Sequence, residues 1–223
     1  MIIGNGLIAN AFRDADREDV VFFASGVSNS LETKAENFLR EENLVKETIQ
    51  KFTDKLFVYF STCSIYDSSK NESPYVNHKL NMEHLIATNC PHYIIARVSN
   101  AVGNGGNPNL LMNYIHRSIQ NGDKITIHKN AKRNLIDVED LKNILIHIIE
   151  KEERNKIYNL AYLDNFSITD IVSTFERVLG KEAIKETLDM GESYTIDVHL
   201  IESCFKERNT EVYLENLVQK YYR

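Results

Sequence analysis

The chain begins with MIIGNGLIANAF (1–12), in which a short apolar strand runs directly into a glycine turn and then into a helix. Gly4, Gly6 and Ala9 have the G-x-G-x-x-G/A spacing of dinucleotide-binding turns. Glycine permits the tight turn, its missing side chain lets a pyrophosphate approach the backbone, and the first N–H groups of the helix can bind the anion. Because a glycine turn can also merely join a strand to a helix, the rest of the chain must decide between these interpretations.

Short apolar stretches alternate with amphipathic stretches at helical spacing along the rest of the chain. The predicted strands cover residues 1–3, 20–24, 56–61, 93–98, 124–128 and 156–161. The predicted helices cover residues 7–15, 35–52, 75–87, 109–120, 138–150 and 167–179. This alternation predicts an α/β fold, with a reduced Rossmann-like parallel sheet that carries helices on both faces and a small C-terminal substrate lobe.

The two parts of this fold are expected to be interleaved, so that the chain is effectively one domain. We expect residues 1–103 and 137–161 to form the Rossmann-like cofactor-binding part. Residues 104–136 and 162–223 are expected to form the substrate-side lobe.

One part of a complete dinucleotide fold is missing from the sequence. Such folds carry an acidic residue about 20 residues after the glycine turn, where it holds the adenosine ribose. Here the second apolar stretch is followed by Ser25-Gly26-Val27-Ser28, and the nearby acids Asp14, Asp16 and Asp19 are better explained as residues of a solvated turn. Loss of the second and third strands predicts weak dinucleotide binding and places the first strand at an edge of the sheet.

Three side chains with acid/base chemistry follow the stretch 56–61. Tyr75 and Lys79 are four residues apart and therefore share one helix face. A lysine ammonium beside a phenol is expected to lower the tyrosine pKa, and Thr62 at the preceding strand end could hold a substrate oxygen. A bare Tyr-x-x-x-Lys also occurs by chance, so the ordered set of motifs carries the argument. His78, between them, is expected to point off this face towards the surface.

Four stretches resemble motifs of the NAD-dependent epimerase/dehydratase family, within the extended short-chain dehydrogenase/reductases. FSTCSIY (60–66) resembles the family's SS-x-x-V-Y strand end, and NFLREENL (37–44) resembles its N-V-x-G-T-x-N-L helix. RVSNAVG (97–103) resembles R-x-x-N-x-x-G, and RNLIDVED (133–140) resembles R-D-F-x-x-V-x-D.

The resemblance implies a role for each matching residue. Thr62, Tyr75 and Lys79 would be catalytic. The cofactor, NAD or NADP with no preference assigned, would be bound by Gly4, Gly6, Ala9, Ala24, Gly26, Asn37, Tyr75 and Lys79. The substrate would be bound by Ser64, Asn100 and Arg133. No metal is required.

The implied activity is NAD(P)-dependent oxidoreduction at a sugar carbon of a nucleoside diphosphate sugar, by a 4-keto reductase or a 4-epimerase. Family dehydratases carry an acidic pair where this chain has Cys63 and Ser64, which argues against dehydration. Cys63 is interpreted as a packed thiol. The alternative is a non-catalytic family member that binds a nucleotide sugar or acts as a partner subunit.

The composition of the chain limits the kinds of partner that we expect it to bind. The net charge is −6 and no basic stripe follows the chain, so we expect no nucleic acid. No apolar run approaches the roughly 20 residues that span a bilayer, so we expect no membrane partner. Three widely spaced cysteines and an N-terminus without a signal-peptide pattern indicate a cytoplasmic protein. The exposed first strand and the family resemblance both predict a homodimer.

Overall fold

A computed structural model describes residues 1–223 and contains eleven strands and seven helices. The strands are β1 (Ile2–Ile3), β2 (Val20–Phe23), β3 (Leu56–Thr62), β4 (Tyr93–Val98), β5 (Asn100–Val102), β6 (Lys124–His128), β7 (Lys132–Arg133), β8 (Leu135–Asp137), β9 (Lys156–Leu160), β10 (Phe166–Ser167) and β11 (Ile184–Leu188). The helices are α1 (Leu7–Ala11), α2 (Ala35–Lys51), α3 (Pro74–Asn89), α4 (Leu111–Asn121), α5 (Val138–Glu150), α6 (Ile168–Leu179) and α7 (Thr210–Tyr222). None of the helices is both long enough and apolar enough to cross a membrane.

The centre of the molecule is a five-stranded parallel sheet with the order β1-β2-β3-β4-β9. Every residue of β2 and β3 is buried, which explains why these strands have continuous apolar sequences rather than alternating ones. The two largest core clusters share these strands: one includes Val58 and Phe60, and the other includes Phe57 and Tyr59. The predicted α/β fold with a reduced Rossmann-like sheet is confirmed.

The first strand pairs only with β2 and therefore lies at the edge of the sheet, as the missing strands predicted. The Met1 amino group ties the start of this strand to the turn before β2. It donates to the carbonyls of Arg17 and Val20 at 2.5 Å each and pairs with the Asp16 carboxylate at 2.7 Å. A local segment thus contacts the beginning of the edge strand.

The first helix is shorter than predicted. It ends at Ala11 and is followed by a tighter 3-10 turn over residues 13–15, whereas the apolar spacing predicted one helix to residue 15. The change of geometry occurs at Phe12, which is fully buried, with ring centroids 5.1 Å from Phe22 and 5.4 Å from Phe60. The helix ends here because Phe12 packs its ring on the sheet.

Three small sheets complete the fold beside the central one. β5 pairs with β8 and β6 with β11, both in parallel, while β7 and β10 are antiparallel. β11 and α7 lie outside the elements predicted from the sequence. Tyr213 fixes α7 in place, because its hydroxyl accepts from the Asp137 backbone N–H and donates to the Asp140 carboxylate, both at 2.9 Å.

Candidate active site

A cleft of about 520 Å³ opens where β1, β2, β3 and β4 end. Its volume is typical of small-molecule sites, which span roughly 300–1,000 Å³, and the carboxyl ends of parallel strands are the usual place for them. Eight of the residues predicted from the sequence line this cleft. They are Gly6, Ala24, Gly26, Thr62, Ser64, Tyr75, Lys79 and Asn100.

The glycine turn leaves open space at the cleft. Gly4 has φ +130°, and a Cβ there would lie 2.3 Å from the Ala24 carbonyl oxygen, so the turn requires glycine at this position. A Cβ on Gly6 would meet nothing within 4 Å. Gly6 begins α1 and has no side-chain cap, so the backbone can approach an anion there. This geometry fits a dinucleotide pyrophosphate.

Thr62 and Tyr75 meet at the reactive part of the cleft. Thr62 ends β3, and its Oγ1 accepts from the Ser64 backbone N–H at 3.0 Å, which fixes the direction of the hydroxyl. Tyr75 is buried in the first turn of α3, behind Pro74. Burial raises the pKa of Tyr75 to about 12; the Thr62 hydroxyl acts to lower this pKa, and the charge of Glu41 to raise it. The phenol is therefore protonated at neutral pH and can act as a proton donor.

The environment of Lys79 differs from the sequence-based expectation. Its Nζ donates to Glu41 Oε1 at 2.9 Å, to the Tyr59 hydroxyl at 3.1 Å and to the Phe60 carbonyl at 3.3 Å. The sequence predicted that this ammonium would lower the pKa of Tyr75. That expectation is wrong for this structure, because Glu41 offsets the lysine charge and burial of the phenol dominates.

Glu41 and His78 lie behind the cleft and are two of the residues that the sequence analysis did not identify as part of the site. His78 was expected at the surface, but it is buried, with its ring stacked on Phe38 at 4.7 Å and its Nε2 3.0 Å from Glu41 Oε2. One signal was available for Glu41. It falls between Phe38 and Val45 on the apolar stripe of α2, where a charged side chain needs a buried partner.

Four predicted site residues do not line the cleft. Gly4 and Ala9 belong to the turn and its helix but do not face the opening. Asn37 donates its amide to Glu32 Oε2 at 2.8 Å, in the segment before α2. Arg133 donates from Nη1 to its neighbour's carbonyl, that of Lys132, at 2.7 Å and to that of Glu192 at 3.3 Å. The structure therefore does not bring Asn37 and Arg133 to the cleft.

Further polar groups complete the wall after β4. Asn100 donates its amide to the Asn134 carbonyl at 2.7 Å, which orients the side chain. The Ser99 hydroxyl oxygen is buried and has no hydrogen-bond partner, so this cleft residue has an unused polar group. Tyr194 enters the cleft from the segment after β11, and its carbonyl accepts from the Asn165 amide at 2.5 Å. Neither Ser99 nor Tyr194 stands out in the sequence.

The adenosine end of a dinucleotide has no acidic partner here. No aspartate or glutamate lines the cleft. The three acids near the glycine turn are each paired elsewhere at 2.7 Å: Asp14 with Lys142, Asp16 with the Met1 amino group, and Asp19 with Arg17. The residues present thus fit the pyrophosphate and nicotinamide parts better than the adenosine ribose.

Cys63 is a packed thiol, as predicted. It is buried next to Thr62 and donates from Sγ to the Arg97 carbonyl at 3.1 Å. Burial raises the pKa of this thiol well above its usual value. It therefore stays protonated at neutral pH and is a poor nucleophile.

Comparisons with known proteins agree with this architecture. The model of the NAD-dependent epimerase/dehydratase family matches residues 4–161. The chain is similar to a UDP-N-acetylglucosamine 4-epimerase from Methanobrevibacter ruminantium M1, solved with UDP-N-acetylmuramic acid, at TM-score 0.73 and 16% identity over 94% of this chain and 77% of that one.

Two other solved structures are similar in the same way. A UDP-glucuronic acid 4-epimerase from Bacillus cereus, in complex with UDP-glucuronic acid and NAD, has a TM-score of 0.70 at 18% identity over 97% of this chain and 80% of that one. RMD from Pseudomonas aeruginosa, complexed with NADPH, has a TM-score of 0.67 at 15% identity over 90% and 80%. At these identities the structures show a shared fold. No curated protein sequence matches the chain.

Proposed function

Because this chain belongs to the NAD-dependent epimerase/dehydratase family, we propose that it catalyses NAD(P)-dependent oxidoreduction at a sugar carbon of a nucleoside diphosphate sugar. This proposal rests on one observation: Thr62, Tyr75 and Lys79 line the same cleft as the glycine turn. The non-catalytic alternative has no support, since all three side chains are present and close together.

The cofactor proposed for this cleft is NAD or NADP. The open space at Gly6 suits the pyrophosphate, and Ala24 and Gly26 would hold the part of the cofactor that follows it. When bound, the nicotinamide supplies or accepts a hydride at the sugar carbon. Related structures contain NAD or NADPH, which supports either dinucleotide.

The protein's own side chains would move and place the proton. The Thr62 hydroxyl would hold the substrate oxygen next to Tyr75. In the reductive direction, the Tyr75 phenol would donate its proton to this oxygen while the carbon is reduced; in the oxidative direction, the phenolate would take the proton back. Asn100 and Ser64, at the same cleft, are proposed as substrate contacts.

Two observations favour 4-keto reduction over 4-epimerisation. Tyr75 is in its acid form at neutral pH, which is the form that reduction consumes. No carboxylate lines the cleft to bind the adenosine ribose, so the cofactor should dissociate readily between turnovers. A reductase can work in this way, because it exchanges its cofactor after each reaction. An epimerase has to retain its cofactor between two half-reactions.

We also propose that the substrate binds between the cofactor-binding part (residues 1–103 and 137–161) and a substrate-side lobe (residues 104–136 and 162–223). Tyr194 supports this division, because it reaches the cleft from the second part of that lobe. The direct test is to mix the protein with nucleoside diphosphate sugars and their 4-keto forms, each with the oxidised and with the reduced form of both dinucleotides. A reductase consumes dinucleotide and keto sugar in equal amounts, whereas an epimerase interconverts two sugars without net consumption.

A further inference from the structure

A carboxylate with four partners lies behind the reactive part of the cleft. Glu41 is fully buried on α2. Its Oε1 accepts from the Tyr59 hydroxyl at 2.6 Å and from Lys79 Nζ at 2.9 Å. Its Oε2 accepts from the Val27 backbone N–H at 2.6 Å and lies 3.0 Å from His78 Nε2. A buried charge persists only when it is satisfied in this way, so the cluster is held together as a unit.

The ion pair lies directly against the cleft wall. A Cβ on Gly26 would lie 2.5 Å from Lys79 Nζ and 2.8 Å from Glu41 Oε1, so only a glycine leaves room for the pair at this point. Gly26 and Lys79 both line the cleft, while Glu41 stands behind them. The Glu41 carboxylate therefore contacts Lys79 but does not line the space that a ligand would fill.

We propose that Glu41 is a positioning residue, which fixes the Lys79 ammonium at the cleft wall and supplies the counter-charge that keeps it charged there. This role rests on the proposed function, which places Lys79 with Thr62 and Tyr75 in the catalytic cleft. Glu41 stands where the resembling family helix has a threonine, so it is a feature of this chain rather than of the shared motif.

The balance of charges around the cluster supports this role. Burial acts to raise the pKa of Glu41, but His78, Lys79 and the Tyr59 hydroxyl together hold it well below its usual range. Burial lowers the pKa of Lys79, and Glu41 is the main group that opposes this effect. Two more distant charges contribute, Glu83 raising the Lys79 pKa and Arg40 lowering it. Without Glu41, Glu83 would remain as the group that opposes the effect of desolvation on the ammonium.

The first test measures the protonation of Lys79 by NMR of isotope-labelled lysine in the full chain without ligands. In Glu41→Gln, the Lys79 pKa should fall by about one pH unit or more, the size of effect expected when a close counter-charge is lost. Glu47→Gln is the matched control, since Glu47 is exposed on the same helix, and it should leave Lys79 unchanged. An unchanged Lys79 titration in folded Glu41→Gln overturns the proposal.

The second test covers a Glu41→Gln protein that folds but is too unstable for a complete NMR titration. Urea unfolding is compared for wild type, Glu41→Gln, Lys79→Met and the double variant. If Glu41 serves Lys79, the double variant should be at least as stable as Glu41→Gln, because no unpaired ammonium is then buried. If loss of Glu41 is just as damaging in the Lys79→Met background, the carboxylate serves its other partners, Tyr59, His78 and the Val27 backbone, and the proposal fails.

Turnover is measured separately, so the two proposals can fail independently. In Glu41→Gln, activity should disappear at lower pH than in wild type, because the ammonium loses its proton earlier as pH rises. A Lys79 shift in a protein that turns over no nucleotide sugar would support the role of Glu41 and refute the proposed function. Turnover of a nucleotide sugar, combined with an unchanged Lys79 pKa in Glu41→Gln, would support the proposed function and refute the role of Glu41.

Discussion

Tyr75 is the residue on which the chemistry depends. Its phenol is buried, and Thr62 is the hydroxyl that acts on it within the cleft. Burial favours the neutral form of a phenol because the charged form loses its hydration. The site is therefore prepared to give a proton rather than to take one.

Replacement of Tyr75 by phenylalanine should abolish most of the turnover. Loss of a positioned proton donor costs about 10²–10⁴-fold in rate, while the ring that packs in the wall is retained. Initial rates and thermal unfolding of the purified variant provide the measurement. Tyr114→Phe is the matched control, because Tyr114 is exposed on α4 away from the cleft, and it should keep full activity. Equal rates for both variants would remove Tyr75 from the mechanism.

The raised pKa of Tyr75 also determines how the rates of reduction and of oxidation depend on pH. With a pKa of about 12, the phenol is protonated throughout the neutral range. For reduction, kcat/KM should not decline through loss of the Tyr75 proton until pH approaches that value, whereas for oxidation it should rise about tenfold per pH unit. A reductive profile that falls near neutral pH, with a midpoint that moves in a Tyr75 variant, would show that the phenol ionises much earlier.

At the scale of elements, the sequence was most informative where one local pattern determines the structure. The glycine turn with the edge position of β1, the strands β2–β4 and the helices α2 and α3 all follow from apolar spacing and turn chemistry. β11 was missed because nearly all of its side chains are exposed and its only partner is β6. α7 was missed because its burial depends on Tyr213 contacts with residues more than 70 positions earlier.

In the candidate site, too, residues in local motifs could be predicted, and contacts between distant elements could not. The sequence singled out Thr62, Tyr75 and Lys79 as candidates, and the structure brings them together. It could not predict that Glu41, 38 residues before Lys79, would neutralise the ammonium, because that contact depends on how α2 packs on α3. The pKa expected for Tyr75 was wrong because burial of the phenol dominates and Glu41 offsets the charge of Lys79.

The glycine turn can be tested as a binding element. Gly6→Val should remain folded, because a Cβ at this position meets nothing, but it should bind dinucleotide more weakly, because the side chain fills the space proposed for the pyrophosphate. Gly4→Ala should instead destabilise the protein, since its Cβ would collide with the Ala24 carbonyl. Thermal unfolding measures the stability of both variants, and calorimetric titration with NAD and NADP measures their dinucleotide binding. Wild type should bind the two dinucleotides weakly and similarly; tight binding of only one would contradict the missing ribose contact.

For the whole molecule, the open edge of the sheet predicts assembly. Met1 ties the start of β1 to residues 16–20, which lead into β2, and no strand pairs with the other edge of β1. The unpaired backbone groups of an edge strand can pair with a second chain. We expect a homodimer, which light scattering should report as a species of about twice the 25.7 kDa chain mass. A strict monomer at all accessible concentrations would show that the edge needs no second chain.

The proposed reduction is measured by the absorbance of NADH or NADPH after mixing the dinucleotide and the protein with nucleoside diphosphate 4-keto sugars. We expect at least one keto sugar to cause oxidation of NADH or NADPH, equimolar with the sugar alcohol formed, and Tyr75→Phe to lose this activity. No oxidation with any sugar in the panel, or the same rate in Tyr75→Phe, would contradict the proposed reaction.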